Sequence, residues 1–399
     1  VQTTLGTGHQ PRTTTTRTTV ISLFRSSHTT KEHVTIEDVF DAYYDCRKHK
    51  RNTESSVKYE MDYEMDNYGL WKELNDMTYK PGTSVAFCVT IPKLREVFAA
   101  DFKDRVVHHL LIGKINDEIE KRMTDCAIAC RKGKGTLYGA RRLREMMKEG
   151  GWYVKCDISG FFMSIDKDVL YRIVEDVVRK AIKEDVDWWL WLAKEIVYHR
   201  PEKDCELHGD KTLWKRLPDN KTLFMTNGRG LPIGNLTSQV FANLYLAAFD
   251  RFVVDRLGSE MRYIRYADDF VMIHPNKDYL LKILNGSRKW LKEKRGLSLH
   301  ERKVVIQKVE RGVRFTGYFI KNGIIYPGKR TRHNALLLAT EWGEKETHTK
   351  EERRQMMCSY NSYMGLLSHC SSYKIRRKMW RLLGDYSGIV NINMKKITV

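Results

Sequence analysis

Long apolar runs are scarce in this sequence. The longest, Val240–Phe249, falls far short of the roughly 20 residues a membrane-spanning helix needs, so membrane residence is not expected. An apolar core followed by a small-residue cleavage site is missing from the N-terminus, where a Thr-rich stretch runs to about Thr19. Residues 1–30 therefore read as a flexible tail rather than a secretion signal. Paired cysteines are absent too. Eight Cys stand singly, and the nearest approach to a metal pattern, Cys126-x3-Cys130, has no second ligand pair close by. Reduced, mostly buried thiols in a cytoplasmic protein are expected. There is no internal repeat, and acids are in deficit: 50 Asp and Glu face 70 Lys and Arg, a formal charge of +20. A surplus of that size suits a polyanion, because Lys and Arg bind phosphates and release condensed counterions. A solvated basic surface serving solubility alone gives the same count. The 42 % apolar and 30 % charged composition is ordinary for a globular protein, and 399 residues suffice for a sizeable core divided over two or three units.

Periodicity then divides the chain. Thr35 to Lys50 predicts a helix capped by Thr35, with Ile36, Val39, Phe40, Tyr43 and Tyr44 on one stripe. A second, polar helix is expected from about Ser56 to Met77. Val85–Ile91 and Glu96–Ala99 read as strands joined by a short connection, and Lys103–Met123 as a helix. Trp152–Ser159 is a strand ending in a carboxylate, after which Asp166 caps a helix. Another helix covers Val186–Tyr198, whose Trp188, Trp189 and Trp191 suit core packing better than base stacking. Pro201–Asn227 reads as polar loop, and the segment from Gly228 as a turn followed by a helix through Leu257. A hairpin from Met261 to His274, a helix from Tyr279 to Arg295, and strands Arg314–Ile320 and Ile324–Tyr326 follow. From Arg330 the chain is helical and basic, and the stretch after Ser371 sets seven Lys and Arg against Asp385.

The residues that carry chemistry begin with Tyr266-Ala267-Asp268-Asp269, set between Ile264 and Phe270-Val-Met-Ile. Asp is common and solvated in plain hairpin turns. Two adjacent carboxylates between apolar strands are costly, however, unless a cation neutralises them. Asp157 ends the strand of Trp152-Tyr-Val-Lys-Cys-Asp, where a neighbouring hairpin could present Asp268 beside it. Phosphoryl transfer to a primer hydroxyl asks for such a set: two Mg²⁺ ions about 3.5–4 Å apart, held by a few carboxylates, with water and phosphates in the other positions.

From Pro92 to Ile320 these motifs, taken in order, resemble the reverse transcriptase family. The resemblance implies an α+β right-hand polymerase fold, with an antiparallel palm sheet packed on helices. It implies fingers over 31–151, a palm over 152–328 with a fingers insertion at about 180–228, and a basic helical thumb over 329–399. Two Mg²⁺ ions, with Mn²⁺ as a substitute, would be held by Asp157, the Ile158 backbone carbonyl, Asp268 and Asp269. Phe162, five residues after Asp157, falls where the family places an aromatic gate that leaves no room for a 2′-hydroxyl. Lys93 and Arg95 match the hairpin that closes on the triphosphate. Ile233, Gly234 and Gln239 belong to the nucleotide-binding turn and helix, where Thr237 or Ser238 is a candidate cap. Lys303 matches the lysine that protonates pyrophosphate. Phe315-Thr-Gly317 resembles the primer grip, where Gly317 would let backbone approach the primer. Tyr266 and the basic run Arg376, Arg377 and Lys378 would contact primer and template.

Ile233-Gly-x3-Ser-Gln239 differs from the Gln at the Ile233 position in many relatives. It looks like the reverse transcriptases of diversity-generating retroelements. Phe98-Ala-Ala-Asp-Phe-Lys-Asp-Arg-Val-Val-His-His, Lys221-Thr-Leu-Phe and Ser362-Tyr-Met-Gly-Leu-Leu-Ser-His point the same way. That branch implies error-prone cDNA copied from a template-repeat RNA for targeted gene diversification. It implies deoxynucleoside triphosphates as substrates, a small basic oligomeric accessory protein as partner, and a cytoplasmic enzyme of bacterial, archaeal or phage origin. The alternatives are a retron, group II intron-like or defence-associated reverse transcriptase, an RNA polymerase, and a catalytically silent nucleic-acid-binding protein.

Overall fold

The computed structural model describes residues 31–48, 53–91, 93–258, 262–345 and 348–384. The tail expected over 1–30, and Pro92, Met261 and Asp385, lie outside them. Ten strands fall among the described residues. They are β1 (Ser84–Val89), β2 (Arg95–Ala99), β3 (Trp152–Asp157), β4 (Cys205–His208), β5 (Arg262–Tyr266), β6 (Asp269–His274), β7 (Val305–Lys308), β8 (Val313–Phe315), β9 (Tyr318–Lys321) and β10 (Ile324–Pro327). The chain divides into two compact units, Val1–Met123 with Gly160–Tyr245, and Thr124–Ser159 with Leu246–Val399.

The first unit opens with the helix Ile36–Arg47. Thr35 closes a capping box there: the Asp38 N–H donates to Thr35 Oγ1 at 3.1 Å, and the Thr35 N–H donates to Asp38 Oδ2 at 3.3 Å. Its buried stripe joins an aromatic core in which Tyr43 stacks on Tyr63 at 5.1 Å and Tyr59 packs on Phe102 at 4.9 Å. The single helix expected over Ser56–Met77 is instead two, Glu54–Met61 and Tyr63–Asn75. Asp62 separates them at φ −126°, a non-helical conformation that Asp readily takes. β1 pairs antiparallel with β2, from Val85↔Ala99 to Val89↔Arg95, and parallel with β4, from Ser84↔Cys205. β4 replaces part of the expected loop; its four mostly exposed residues carry no apolar alternation that would reveal a strand. Glu96 of β2 is buried and accepts hydrogen bonds from Trp214 Nε1, Thr222 Oγ1 and the Leu223 N–H, each at 2.7 Å. Three donors satisfy the buried carboxylate and tie the 211–223 segment to the sheet. Trp188 and Trp189 are core residues, and Trp188 Nε1 donates to the Leu74 carbonyl at 2.9 Å. The helix expected to run unbroken to Leu257 stops at Tyr245 and a new one begins at Ala247. Because the earlier of these starts at Leu236, Thr237 and Ser238 sit inside its first turn and are not its cap.

In the second unit one sheet has the order β5-β6-β3-β7, with every pair antiparallel. Alternation on β3 buries Val154 and Cys156 and leaves Lys155 and Asp157 half-exposed on the opposite face. The helix Lys277–Arg295 buries Leu280, Leu284 and Leu291. A helix without a clear sequence signal, Thr136–Met146, places Ala140, Leu143 and Met146 in one core with Ile264, Val271 and Phe315. The stretch Arg314–Ile320, expected as one strand, turns back at Thr316–Gly317, giving a second sheet, β10-β9-β8. Helices Lys329–Gly343, Lys350–Ser368 and Tyr373–Leu382 pack around Ala339, Met356, Tyr360, Met364 and Met379. All eight Cys are free thiols, but only Cys46 and Cys156 are buried, so the expectation of mostly buried thiols is corrected. Among the described residues no helix is long and apolar enough to cross a membrane.

Candidate active site

Strand pairing brings Asp157, Asp268 and Asp269 of the second unit to one end of its larger sheet. Asp157 and Asp269 are directly opposed across β3 and β6, and Tyr266 opposes Asp269 across β5 and β6, leaving Ala267–Asp268 as a two-residue turn. The Ile158 N–H donates to the Asp268 carbonyl at 3.1 Å, which fixes the turn against the end of β3. The His300 N–H donates to the Asp157 carbonyl at 2.7 Å, adding the 298–303 segment to the same end.

Like charges directly opposed on adjacent strands repel. Two lysines offset this. Period-two alternation puts Lys155 on the Asp157 face of β3, where its ammonium lies 2.8 Å from Asp269 Oδ2 and also donates to the Arg314 carbonyl at 3.0 Å. Lys303, on the short 3₁₀ turn Glu301–Lys303, pairs its ammonium with Asp157 Oδ2. Burial raises the Asp269 carboxyl to about 6; Lys155 opposes the rise, while Asp268 and Asp157 add to it. Asp269 Oδ1 is buried without a hydrogen-bond partner. Hard carboxylate oxygens and an orphaned lone pair are the donor chemistry that a divalent ion such as Mg²⁺ requires. Among the described residues, no group of three or more His, Cys, Asp or Glu side chains is placed to hold a metal ion together. The lysine ammonium groups supply the counter-charge here.

The turn itself is strained. Ala267 sits at φ 53°, in the left-handed region that Gly favours. Arg265, which sequence reasoning passed over, holds it, with Nη1 donating to the Ala267 carbonyl at 2.9 Å. The signal in the sequence is faint: Arg265 stands between Ile264 and Tyr266, and Arg262 of the same strand is charged too. Tyr266 is half-buried against the core of this unit, and Ile158 is buried. Gly317 follows Thr316 in a second tight turn, with φ 86° and 47° respectively. On the last helix Arg377 and Lys378 are exposed, whereas Arg376 is half-buried with Nε donating to Ser372 Oγ at 3.3 Å. A cavity of about 620 Å³ there is lined by Tyr373, Lys374, Arg377, Lys378, Arg381 and Leu382.

The remaining candidates lie in the first unit. Phe161 is buried and Phe162 half-buried, edge-to-face at 5.6 Å, on the short helix Phe161–Ser164. The Leu231 N–H donates to the Phe162 carbonyl at 2.9 Å, and the Phe98 N–H donates to the Ile233 carbonyl at 2.8 Å. Gly234 is required where it stands. Its φ is 130°, and an added Cβ would lie 2.6 Å from the Phe98 carbonyl oxygen. The Ile233 side chain packs partly on Ala86, Phe98, Met163 and Leu223. Lys93, Arg95 and Gln239 are exposed.

An antiparallel sheet with opposed aspartates at one end, flanked by helices, belongs to the α+β right-hand class of nucleic-acid polymerases. Residues 90–320, more than half of the chain, match the family model described as reverse transcriptase (RNA-dependent DNA polymerase), and the chain belongs to that family. Its members use divalent metal ions. No curated protein matches the chain. Similar solved structures include apo telomerase from Candida tropicalis truncated from its C-terminal domain, at 12 % identity and TM-score 0.44, covering 65 % of this chain and 60 % of that one. Apo telomerase from the same organism gives 11 % identity and TM-score 0.47 over 75 % of this chain and 55 % of that one. Telomerase from Candida albicans in complex with the TWJ fragment of telomeric RNA gives 11 % and 0.41, covering 75 % of this chain and 59 % of that one. The chain thus spans 55 to 60 % of the length of these telomerase chains.

Proposed function

We propose that this chain is an RNA-directed DNA polymerase that copies a template-repeat RNA into error-prone cDNA for targeted gene diversification. The observation that carries the polymerase reading is the direct opposition of Asp157 and Asp269 across β3 and β6, with Asp268 on the adjoining turn. The three carboxylates and the Ile158 carbonyl would hold two Mg²⁺ ions, or Mn²⁺ in their place. Bound there, such ions activate the primer hydroxyl and shield the leaving pyrophosphate. Lys303, whose ammonium pairs with Asp157 in this structure, would give a proton from Nζ to the departing pyrophosphate. Lys93 and Arg95 neutralise the β- and γ-phosphates. Phe162 excludes the 2′-hydroxyl; Ile233, Gly234 and Gln239 shape the nucleotide pocket. Tyr266, Gly317, Arg376, Arg377 and Lys378 contact primer and template, so binding weakens steeply with salt.

Under this reading, fingers cover 31–151, the palm 152–328 with its insertion at 180–228, and the thumb 329–399. The diversification branch rests on the Ile233-to-Gln239 motif and the three accompanying stretches, and it brings a small basic accessory protein as partner and a cytoplasmic setting. Primer extension on a defined RNA with Mg²⁺ tests both levels. Asp157→Asn and Asp268→Asn should each abolish synthesis, and sequenced products should carry errors concentrated opposite template adenine. Full-speed synthesis by either variant removes the polymerase site as assigned. Faithful copying of adenine removes the diversification branch alone. Ile233→Gln should lower those errors modestly, since one added hydrogen bond contributes about 0.5–1.5 kcal/mol of discrimination.

A further inference from the structure

Arg265 and Asp250 are both fully buried. The guanidinium grips the carboxylate with two arms, Nε donating to Oδ1 at 2.7 Å and Nη2 donating to Oδ2 at 2.5 Å. Tyr263 OH donates to the same Oδ1 at 2.7 Å, so Asp250 is anchored from two residues of β5. The arginine backbone is fixed as well. Its N–H donates to the Cys126 carbonyl at 2.8 Å, and its carbonyl accepts from the Ile128 N–H at 3.0 Å. What this scaffold aims is the third arm, Nη1, which donates to the carbonyl of Ala267, one peptide before Asp268.

Stability alone is a poor reason to keep such a pair, because apolar residues of similar volume are often as stable in a core or more so. The turn supplies a better one. Ala267 at φ 53° occupies a conformation in which an L side chain is strained, and such strain persists only where the surroundings over-determine it. A planar guanidinium locked by Asp250 and Tyr263 is a rigid donor of that kind. We propose that Arg265, held by Asp250 and Tyr263, is a positioning residue that keeps the Ala267–Asp268 turn in the geometry from which Asp268 takes a divalent cation. This rests on the reading of Asp268 as a metal ligand. Arg265 acts through the turn and touches neither nucleotide nor ion.

The test removes both buried charges together, as Arg265→Met with Asp250→Leu, and measures four quantities: the unfolding midpoint, amide exchange of Tyr266–Asp269 in the metal-free protein, Mn²⁺ affinity by electron paramagnetic resonance, and kcat and KM for primer extension. A midpoint near the parent's should accompany faster exchange in the turn, Mn²⁺ affinity reduced by roughly 10–100-fold, and kcat reduced on the order of 10²-fold with KM for deoxynucleotide little changed. A folded double variant with parental exchange, Mn²⁺ affinity and kcat overturns the proposal. If that variant does not fold, Tyr263→Phe and Arg265→Lys carry the test. The first loosens one anchor of Asp250 and the second keeps the charge while losing the fork, so Arg265→Lys should show the larger loss of Mn²⁺ affinity; parental behaviour from both overturns the idea equally. Asp268→Asn measured alongside separates the two levels. Unchanged Mn²⁺ binding and synthesis in Asp268→Asn defeats the ligand assignment itself, whereas an inactive Asp268→Asn beside a fully active Arg265/Asp250 variant defeats only the positioning role.

Discussion

Two hairpin turns of the second unit solve the same geometric problem in opposite ways. Asn322–Gly323 joins β9 to β10 with φ values of 49° and 71°, the positive pair that a two-residue turn matching strand twist requires, and uses the residue types that adopt it at least cost. Ala267–Asp268 joins β5 to β6 with a positive φ on alanine, and is held by hydrogen bonds from Arg265 and Ile158, neither of them part of the turn. The first turn is encoded locally; the second is imposed by tertiary contacts. Where the chain has only to reverse direction, local preference suffices. Where it must present carboxylates, local preference is overridden and neighbouring groups hold the result.

The largest test of this contrast is Asp250→Asn. It strands a buried guanidinium charge and should cost about 3–5 kcal/mol in urea unfolding; a loss near zero would mean that the buried pair does not anchor the imposed turn. Next is Gly323→Ala, which puts a Cβ at φ 71° and should cost about 1–2 kcal/mol with kcat unchanged. A large fall in kcat would show that the locally encoded turn also serves the chemistry. Smallest is Ala267→Gly. Relief of the strained φ, less the added freedom of the unfolded chain, should stabilise the fold by about 0.5–1 kcal/mol, a shift readable by calorimetry. Destabilisation instead would mean that the turn carries no strain to release.

The same contrast explains what could be read in advance. The capping box at Thr35, the helix over Val186–Tyr198 and the paired acids after Tyr266 are local patterns, and each is legible from neighbours a few positions apart. The break at Asp62 carries no Pro or Gly to mark it, and the turn at Thr316–Gly317 lies between apolar residues on both sides, so neither is evident from its neighbours. β4 and β7 are as short as β10 but, unlike it, do not alternate buried with exposed residues. Arg265 was missed for a different reason. Tyr263, Ile264 and Arg265 are all buried, so this strand shows no polar face, and the partner that makes the charge tolerable lies fifteen positions earlier on a helix. Lys155 was visible as a residue, but its place beside Asp269 depends on strand register, which sequence alone does not specify here.

The buried Glu96 has a consequence for how the first unit can be observed. Arg95 precedes it directly on β2, and the indole of Trp214 is bonded to its carboxylate. A shift of the β2 backbone at Arg95 would therefore be felt at Trp214, through the hydrogen bonds that hold Glu96. Under the proposed role of Arg95, adding a triphosphate should change tryptophan emission by an amount that Trp214→Phe removes.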